Sequence, residues 1–415
     1  MSDPSSPPPQ TGSKVLVCFG TFAVFSALTA ILGTVICLRY EQAIPVVADA
    51  DAAAAVTGVA AAAALLLSAG LAGLVVVFGP ALAGLFGAPE LAPLLWLVPV
   101  VMLLWGLTLP LAFVSIRRGA FRANALNKTL QLTTQAGAQL GLGLAGAGGI
   151  GLVVGYCAGY VTRLAHFLVV LDRVEWRRLR AVRPGRVWRL ARTHWVYPVY
   201  STLAALLQAS TQMLPTVLVA LLYGPAMAGW FGLAQRMLEL PVRLLSTSTS
   251  QVYLNEAAQG DPAAIYRLFV ATSRRFLLIG LVGMAPLLLA GPWLFALVFG
   301  EPWRMAGTLL QCLVPAQLAR FVVVPVSQTL NVFRRQELHL LAAGLSLLAL
   351  AASFALGWSL ELDATPVVLL FSLSSTLAWL VYYLLVWRVA RGRARLGTPL
   401  ATATPITSTS VPDVG

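Results

Sequence analysis

The chain of 415 residues is 59% hydrophobic and only 10% charged, with a formal net charge of +13. Soluble domains carry about 25% charged residues, so this composition excludes a soluble globular protein and indicates a polytopic membrane protein. The four cysteines, Cys18, Cys37, Cys157 and Cys312, all lie in apolar segments. They behave there as small hydrophobic residues, and we predict no disulfide framework, no metal site and no cofactor.

Eleven apolar segments are long enough to cross a bilayer, which takes roughly 20 residues in an α-helix. None of them alternates with a period of two, which excludes a β-barrel, and lipid requires the backbone groups of each span to be satisfied internally. The predicted fold is therefore all-α, a polytopic membrane helical bundle. In chain order, the predicted spans are 15–37, 52–79, 91–115, 129–147, 149–171, 197–222, 226–252, 274–299, 304–332, 338–359 and 365–387.

The segments outside the spans predict the domain organisation. Residues 1–14 and 389–415 are rich in Pro, Ser and Thr, so we expect disordered tails there. A basic cytoplasmic linker at 172–195 separates an N-terminal helical bundle, 15–171, from a C-terminal helical bundle, 196–388. Arginines alternate with apolar residues in this linker around a Pro-Gly break, which predicts two short helices lying on an anionic membrane surface.

Most of the 28 Lys and Arg residues fall in alternate loops, on one side of the predicted membrane. By the positive-inside rule this side is cytoplasmic, and the chain is predicted to be a multi-pass membrane protein. An odd number of spans then places the C-terminus in the cytoplasm and the N-terminus of this chain on the opposite side of the membrane. Because the basic residues follow this topology, they do not indicate a nucleic-acid partner.

Two stretches of the sequence resemble each other. "FGPALAGLFGAPE" begins at Phe78 and "AGPWLFALVFGEPW" at Ala290, and each places Gly-Pro before an apolar segment that ends in Phe-Gly and a turn with Pro and an acid. Duplicated bundles are common in transporters. This repeat predicts two related bundles, with five helices in the first half and six in the second. The span at 197–222 has no partner in the first half.

Four segments resemble the polysaccharide (O-antigen type) flippases of the multidrug/oligosaccharidyl-lipid/polysaccharide exporter superfamily. They are "CLRYEQAIPV", "YPVYSTLAALLQASTQMLPTVLVALLYGPAMAGWFGLAQRML", "QVYLNEAA" and "LFALVFGEPWRMAG". The resemblance covers roughly residues 15–388. It implies a six-plus-six helix fold whose first transmembrane helix is lacking here, and a flippase that moves an undecaprenyl-pyrophosphate-linked sugar unit to the periplasmic leaflet by alternating access.

For the cell, the resemblance implies a multi-pass protein of the bacterial inner membrane, with the N-terminus of this chain in the periplasm. It also implies a role in surface polysaccharide and lipopolysaccharide biosynthesis. The expected partners are the polyprenyl-pyrophosphate-linked oligosaccharide, the lipid bilayer, and a polysaccharide polymerase with its assembly proteins.

Three arginines lie well inside predicted spans: Arg163, Arg236 and Arg320. A charged side chain at the bilayer centre costs about 2.5 to 3.5 kcal/mol on insertion scales, and such residues usually face a cavity or a partner. Arg243 follows seven residues after Arg236 on the same helical face, with Glu239 between them. One interpretation is a structural pair of Arg236 with Glu239. The other is a cationic cavity for a pyrophosphate, which guanidinium groups bind in bidentate fashion.

Other candidate residues also have two interpretations. Arg163 continues a row of glycines at spacing i+4, and such rows indicate close helix packing; we name it as a substrate-binding candidate beside a structural role. Gln208 and Gln212 share one helical face and could contact sugar hydroxyls or form interhelical hydrogen bonds. Glu239 is the only carboxylate in the middle of a span, so we name it as the candidate for coupling to an ion gradient.

We found no sequence signature of an enzyme. The ATP-binding pattern G-x-x-x-x-G-K-[ST] does not occur, and we predict that the chain is not an enzyme. The alternatives are a polytopic membrane glycosyltransferase or O-antigen ligase and a small-molecule exporter of the same superfamily. A ligase would need a sizeable outward loop, whereas the outward loops predicted here are short. An exporter of cations would favour acidic residues in its spans, whereas arginines predominate.

Overall fold

The computed structural model describes residues 10–47, 49–85, 92–182, 184–193, 195, 197–246, 249–250, 253, 256–257, 261–333, 335 and 337–396. Within these ranges the chain is helical or in turns and contains no β-strand. The prediction of an all-α membrane bundle is therefore confirmed. Of the predicted tails, residues 1–9 and 397–415 lie outside the described residues.

The α-helices are, in chain order, α1 (Gln10–Gly33), α2 (Ala50–Leu85), α3 (Ala92–Leu95), α4 (Leu97–Arg117), α5 (Phe121–Leu144), α6 (Gly148–Val170), α7 (Arg173–Arg180), α8 (Pro184–Thr193), α9 (Thr202–Pro241), α10 (Pro262–Phe299), α11 (Arg304–Val326), α12 (Thr329–Val332), α13 (Glu337–Ser359) and α14 (Ala364–Leu396). Short 3-10 turns occupy Tyr40–Ala43 and Glu301–Trp303, and π-helical turns occupy Tyr197–Ser201 and Val242–Ser246.

A helix occupies each of the eleven predicted spans. In the described part of the chain, nine helical segments are long and apolar enough to cross a membrane. The number is lower than eleven for two reasons. Helix α9 runs through both the sixth and the seventh predicted span, and α5 is too rich in Asn, Gln and Thr to qualify.

The break predicted between the sixth and seventh spans lies at Gly224. This residue interrupts the helical dihedral angles of α9, with φ at 83° and ψ at 171°. A positive φ is open to glycine and strained for other residues, because glycine lacks a Cβ atom. Gly224 therefore marks the predicted turn inside an otherwise continuous helix.

Helix boundaries differ from the prediction at three places. Helix α10 begins at Pro262 rather than at 274, because the side chain of Asp261 accepts a hydrogen bond from the backbone N–H of Ala264 and a proline suits the first helical turn. Arg267, which precedes the predicted span, thus lies on α10 together with Arg274 and Arg275. Helix α1 begins at Gln10, inside the predicted N-terminal tail, and α14 continues to Leu396, eight residues into the predicted C-terminal tail.

The chain forms two compact units, Met1–Gly232 and Leu233–Gly415. In the first unit, α5 packs along α6, and α4 packs against both α2 and α6. In the second unit, α10 packs along α11, and α14 packs against α10, α11 and α13. The assignment of 172–195 as a linker between two bundles stays a prediction.

Large apolar side chains point outward from the long helices. In α2 and α10 these include Leu66, Val77, Val282 and Leu289, each at least 68% exposed. Exposed apolar surface on this scale is unusual for a soluble monomer. It is the surface that a helix presents to lipid, where its backbone hydrogen bonds are all internal.

The two short helices predicted around Pro184 are present as α7 and α8. Both pack against α2, where Arg178 forms an ion pair with Asp51 at 3.8 Å and Arg186 with Asp49 at 3.6 Å. These contacts place the basic segment at the N-terminal end of α2.

Candidate functional site

The second unit contains an ion pair that joins two membrane-spanning helices. Arg320 on α11 approaches Glu239 on α9, with Nη1 at 3.7 Å from Oε1. The two side chains are 19% and 18% exposed. The same Glu239 oxygen accepts a hydrogen bond from Gln235 Nε2 at 3.4 Å. The carboxylate is therefore held by one residue of its own helix and by one of α11.

Two more polar side chains lie close to this pair. Arg236, three residues before Glu239 on α9, is exposed and takes part in at least one polar or electrostatic interaction. Gln317, three residues before Arg320 on α11, is 8% exposed, and its Oε1 is buried without a hydrogen-bond partner in the described chain. Sequence analysis missed Gln317, although residues at spacing i+3 share a helical face.

The pairing of Arg236 with Glu239 and the cationic cavity both stay predictions. The described ion pair of this carboxylate joins it to Arg320 on another helix, a partner that spacing along a single helix could not indicate. Two arginines and one carboxylate lie in this region of α9 and α11, which leaves an excess of positive charge. We name Arg236, Glu239, Gln317 and Arg320 the α9/α11 cluster.

Arg243, Gln208 and Gln212 are the remaining candidates from the second half of the sequence. Arg243 falls in the π-helical turn after α9, and its side chain is outside the described residues. Gln208 is exposed on the first part of α9, and Gln212 is partly buried and engaged in at least one interaction. Their roles as substrate-binding and sugar-contact residues stay predictions.

Arg163 belongs to a second polar cluster, in the first unit, between α5 and α6. Its Nη1 lies 3.4 Å from Gln131 Oε1, and its backbone oxygen accepts a hydrogen bond from Asn127 Nδ2 at 2.9 Å. Asn127 Nδ2 also lies 3.0 Å from Nδ1 of His166. Lys128 donates to Gln131 Oε1 at 3.2 Å. No described carboxylate lies within 4.0 Å of Arg163, whose Nε is buried without a hydrogen-bond partner in the described chain.

The glycine row on α6 explains how this cluster forms. A Cβ atom on Gly159 would lie 2.8 Å from the backbone oxygen of Gln131, and one on Gly155 would lie 2.8 Å from the backbone nitrogen of Gln139. The row therefore marks close packing of α5 on α6, as the spacing predicted. This packing brings Gln131 to Arg163, so the packing interpretation and a ligand-binding one do not exclude each other.

Glu41 is a carboxylate that sequence analysis overlooked. It follows α1 in the segment "CLRYEQAIPV", is 1% exposed and lies 3.8 Å from Arg39. Burial raises the pKa of its carboxyl above the ordinary value, and a backbone hydrogen bond and Arg39 only partly oppose this shift. Arg39 itself has a φ of 59°. The sequence alone predicts that a charged residue between two spans, such as Glu41, is exposed. The packing of the folded chain shows that it is buried.

A helical bundle with apolar outer surfaces and arginines within its spans has the architecture of a membrane transporter. The chain belongs to the polysaccharide biosynthesis protein family, whose model matches residues 18–307. The resemblance to the polysaccharide flippase branch is thereby confirmed. No curated protein matches the chain significantly.

Solved structures with similar folds include membrane transporters and a lipid flippase. A multidrug resistance MATE family transporter of the MOP superfamily, in an inward-facing conformation, has a TM-score of 0.69 at 15% identity, over 94% of this chain and 93% of that one. The lipid II flippase MurJ, in an inward closed conformation, has a TM-score of 0.62 at 13% identity, over 92% and 90%. A MOP superfamily transporter from Pyrococcus furiosus has a TM-score of 0.57 at 16% identity, over 94% and 89%. These likenesses show the fold.

Proposed function

We propose that this protein moves an undecaprenyl-pyrophosphate-linked oligosaccharide from the cytoplasmic to the periplasmic leaflet of the bacterial inner membrane. Membership of the polysaccharide biosynthesis family supports a cargo of this class. The similarity in fold to the lipid II flippase MurJ supports alternating access as the mechanism. A polysaccharide polymerase and its assembly proteins would act next on the translocated unit.

The α9/α11 cluster is the observation that carries this proposal. A diphosphate needs guanidinium groups at a site with limited access to water, because the attraction between opposite charges strengthens as the local dielectric constant falls. Arg320 is largely buried and close to a single carboxylate, and Arg236 adds a second cation one turn from Glu239. We assign the diphosphate to Arg320 and Arg236, with Arg243 as a further contact. Arg163 of the first unit is a separate candidate for binding the substrate.

Glu239 has a separate role in this proposal. Its carboxylate pairs with Arg320 and would compete with the cargo for this arginine. It is also the candidate for coupling transport to an ion gradient. The sugar would meet amide side chains. Gln208 and Gln212 are candidates in the first unit; in the second unit the candidate is Gln317, whose Oε1 is buried without a hydrogen-bond partner in the described chain. The predicted topology, with a cytoplasmic C-terminus and a periplasmic N-terminus, belongs to the same proposal and would be tested by reporter fusions at each end.

The function is tested in a strain that lacks its own polysaccharide flippase but makes the matching sugar unit. We expect the wild-type chain to restore surface polysaccharide, and Arg236→Gln and Arg320→Gln to abolish or strongly reduce it at normal protein levels. Arg274→Gln is the matched control, because Arg274 is an exposed arginine of the same unit without a described ion pair. Full restoration by both cluster variants would refute the assignment of the cargo to this cluster.

A further inference from the structure

Two cationic side chains of the first unit converge on a single neutral oxygen. Lys128 Nζ lies 3.2 Å from Gln131 Oε1, and Arg163 Nη1 lies 3.4 Å from the same atom. The two cationic nitrogen atoms are thus separated by no more than the sum of these two distances. Like charges at this separation repel, and an amide dipole compensates the charge of Arg163 far less than an anion would.

The surroundings of these side chains hold them in place without neutralising Arg163. Asn127 is fully buried and bridges the backbone oxygen of Arg163 and the ring of His166, which ties α5 to α6. Gln131 is 2% exposed. No described carboxylate lies within 4.0 Å of Arg163, and its Nε is a buried donor with no partner in the described chain. Arg163 therefore has a spare hydrogen-bond donor and a positive charge without a described carboxylate partner, which is what an anion needs.

The location of the cluster indicates how an anion would arrive. Lys128 is exposed near the end of α5 that is predicted to be cytoplasmic, whereas Arg163 is partly buried. Gln131 lies one turn further along α5 than Lys128 and contacts both. A ligand would meet Lys128 first and then reach Arg163 in place of the amide oxygen of Gln131.

We propose that Lys128, Gln131 and Arg163 form a binding site for the diphosphate group of the lipid-linked substrate on the cytoplasmic side of the first unit. This inference rests on the proposed function for the identity of the ligand. It adds Lys128 and Gln131 to the substrate-binding residues, and it assigns Arg163 to a site of its own, separate from the α9/α11 cluster. A diphosphate can contact both cations at once, because it carries oxygens on two phosphorus atoms.

The test is calorimetric titration of the purified full-length protein with inorganic pyrophosphate. It uses an Arg236→Gln/Arg320→Gln background, so that the α9/α11 cluster does not contribute. We expect Lys128→Gln and Arg163→Gln each to weaken binding at least about tenfold, since hydrogen bonds to charged groups carry this much affinity. Arg122→Gln is the matched control on α5, because Arg122 is exposed and has no described ion pair; it should bind as its parent does.

Gln131→Glu distinguishes a loss of pyrophosphate binding from a failure to fold. The new carboxylate would lie beside both cations, so we expect a higher unfolding temperature together with loss of pyrophosphate binding. Unchanged binding in Lys128→Gln and Arg163→Gln, with Gln131→Glu stabilised, would show a purely structural cluster and overturn the proposal. A diphosphate site should also prefer pyrophosphate to inorganic phosphate by at least about tenfold.

Two further arms separate the possible ligands. Equal affinity for phosphate and pyrophosphate would assign the site to a simple phosphate. Displacement of pyrophosphate by nanodiscs of phosphatidylglycerol, but not of phosphatidylcholine, would assign it to a phospholipid headgroup. Either result would overturn the diphosphate assignment. The binding measurement does not depend on transport. A chain that binds pyrophosphate here but fails to restore surface polysaccharide would therefore contradict the proposed function and leave this site standing.

Discussion

The ion pair between Arg320 and Glu239 predicts that neutralising its two members has opposite effects on anion binding. Arg320→Gln removes a cation that would contact the cargo. Glu239→Gln removes the carboxylate that competes with the cargo for Arg320. We therefore expect pyrophosphate to bind more weakly to the first variant and more tightly to the second.

The geometry gives the size of both effects. At 3.7 Å the pair interacts with about 4.5 kcal/mol at an effective dielectric constant of about 20. Desolvation offsets much of this energy, and removing one partner of a fully buried pair costs about 3–5 kcal/mol. Since both side chains are nearly one-fifth exposed, we expect each variant to lose about 1–3 kcal/mol of unfolding free energy. An affinity change of about tenfold in each direction corresponds to about 1.4 kcal/mol.

The assay is titration with inorganic pyrophosphate in an Arg163→Gln background, with thermal unfolding measured on the same samples. Glu337→Gln is the control, because Glu337 also pairs with an arginine, at 3.0 Å, but is 58% exposed; it should alter neither quantity appreciably. If Glu239→Gln weakens pyrophosphate binding as much as Arg320→Gln does, the pair is structural and the reasoning about competition is wrong.

Two more predictions concern stability. Burial raises the pKa of the Glu41 carboxyl, so the folded chain loses stability as the pH rises through that pKa; Glu41→Gln should raise the unfolding temperature at pH 7, with a difference that disappears below the ordinary pKa of 4.5. A lower unfolding temperature at pH 7 would mean that the pairing with Arg39 outweighs burial. Gly291→Ala should cost about 1–3 kcal/mol of unfolding free energy, because its Cβ would lie 2.9 Å from the backbone oxygen of Gly307. The control is Gly283→Ala on the same helix, whose Cβ would meet nothing within 4 Å. This control should be neutral or stabilising by up to about 1 kcal/mol. Equal unfolding free energies for the two glycine variants would contradict the close crossing of α10 and α11.

The fold was predictable from the sequence because lipid leaves few choices for a long apolar segment. Each apolar run became a helix, and Gly224 supplied the turn between the sixth and seventh runs. The early start of α10 was also within reach, since Asp261 and Pro262 form a recognisable start signal. Hydropathy alone does not predict this start, because the first turns of α10 carry charged residues.

The candidate sites were predictable only in part. Insertion costs identify Arg163 and Arg320 as residues in need of a partner, but the partner lies on another helix in each case. The pairing of Glu239 with Arg320 depends on how α9 and α11 pack. The meeting of Lys128 with Arg163 depends on the close approach of α5 to α6 along a row of glycines. Helical periodicity describes one helix at a time, so it cannot supply such contacts.

The central claim, translocation of a lipid-linked anionic sugar, is tested most directly with the purified full-length chain in liposomes. The measurement is the transfer of a fluorescent undecaprenyl-pyrophosphate-linked sugar between leaflets, followed by quenching of the accessible leaflet. The account predicts transfer well above that of protein-free liposomes, near-complete loss with Arg320→Gln, and normal transfer with Arg274→Gln. Folded wild-type protein that transfers no more than protein-free liposomes, or an Arg320→Gln variant as active as the wild type, would contradict it.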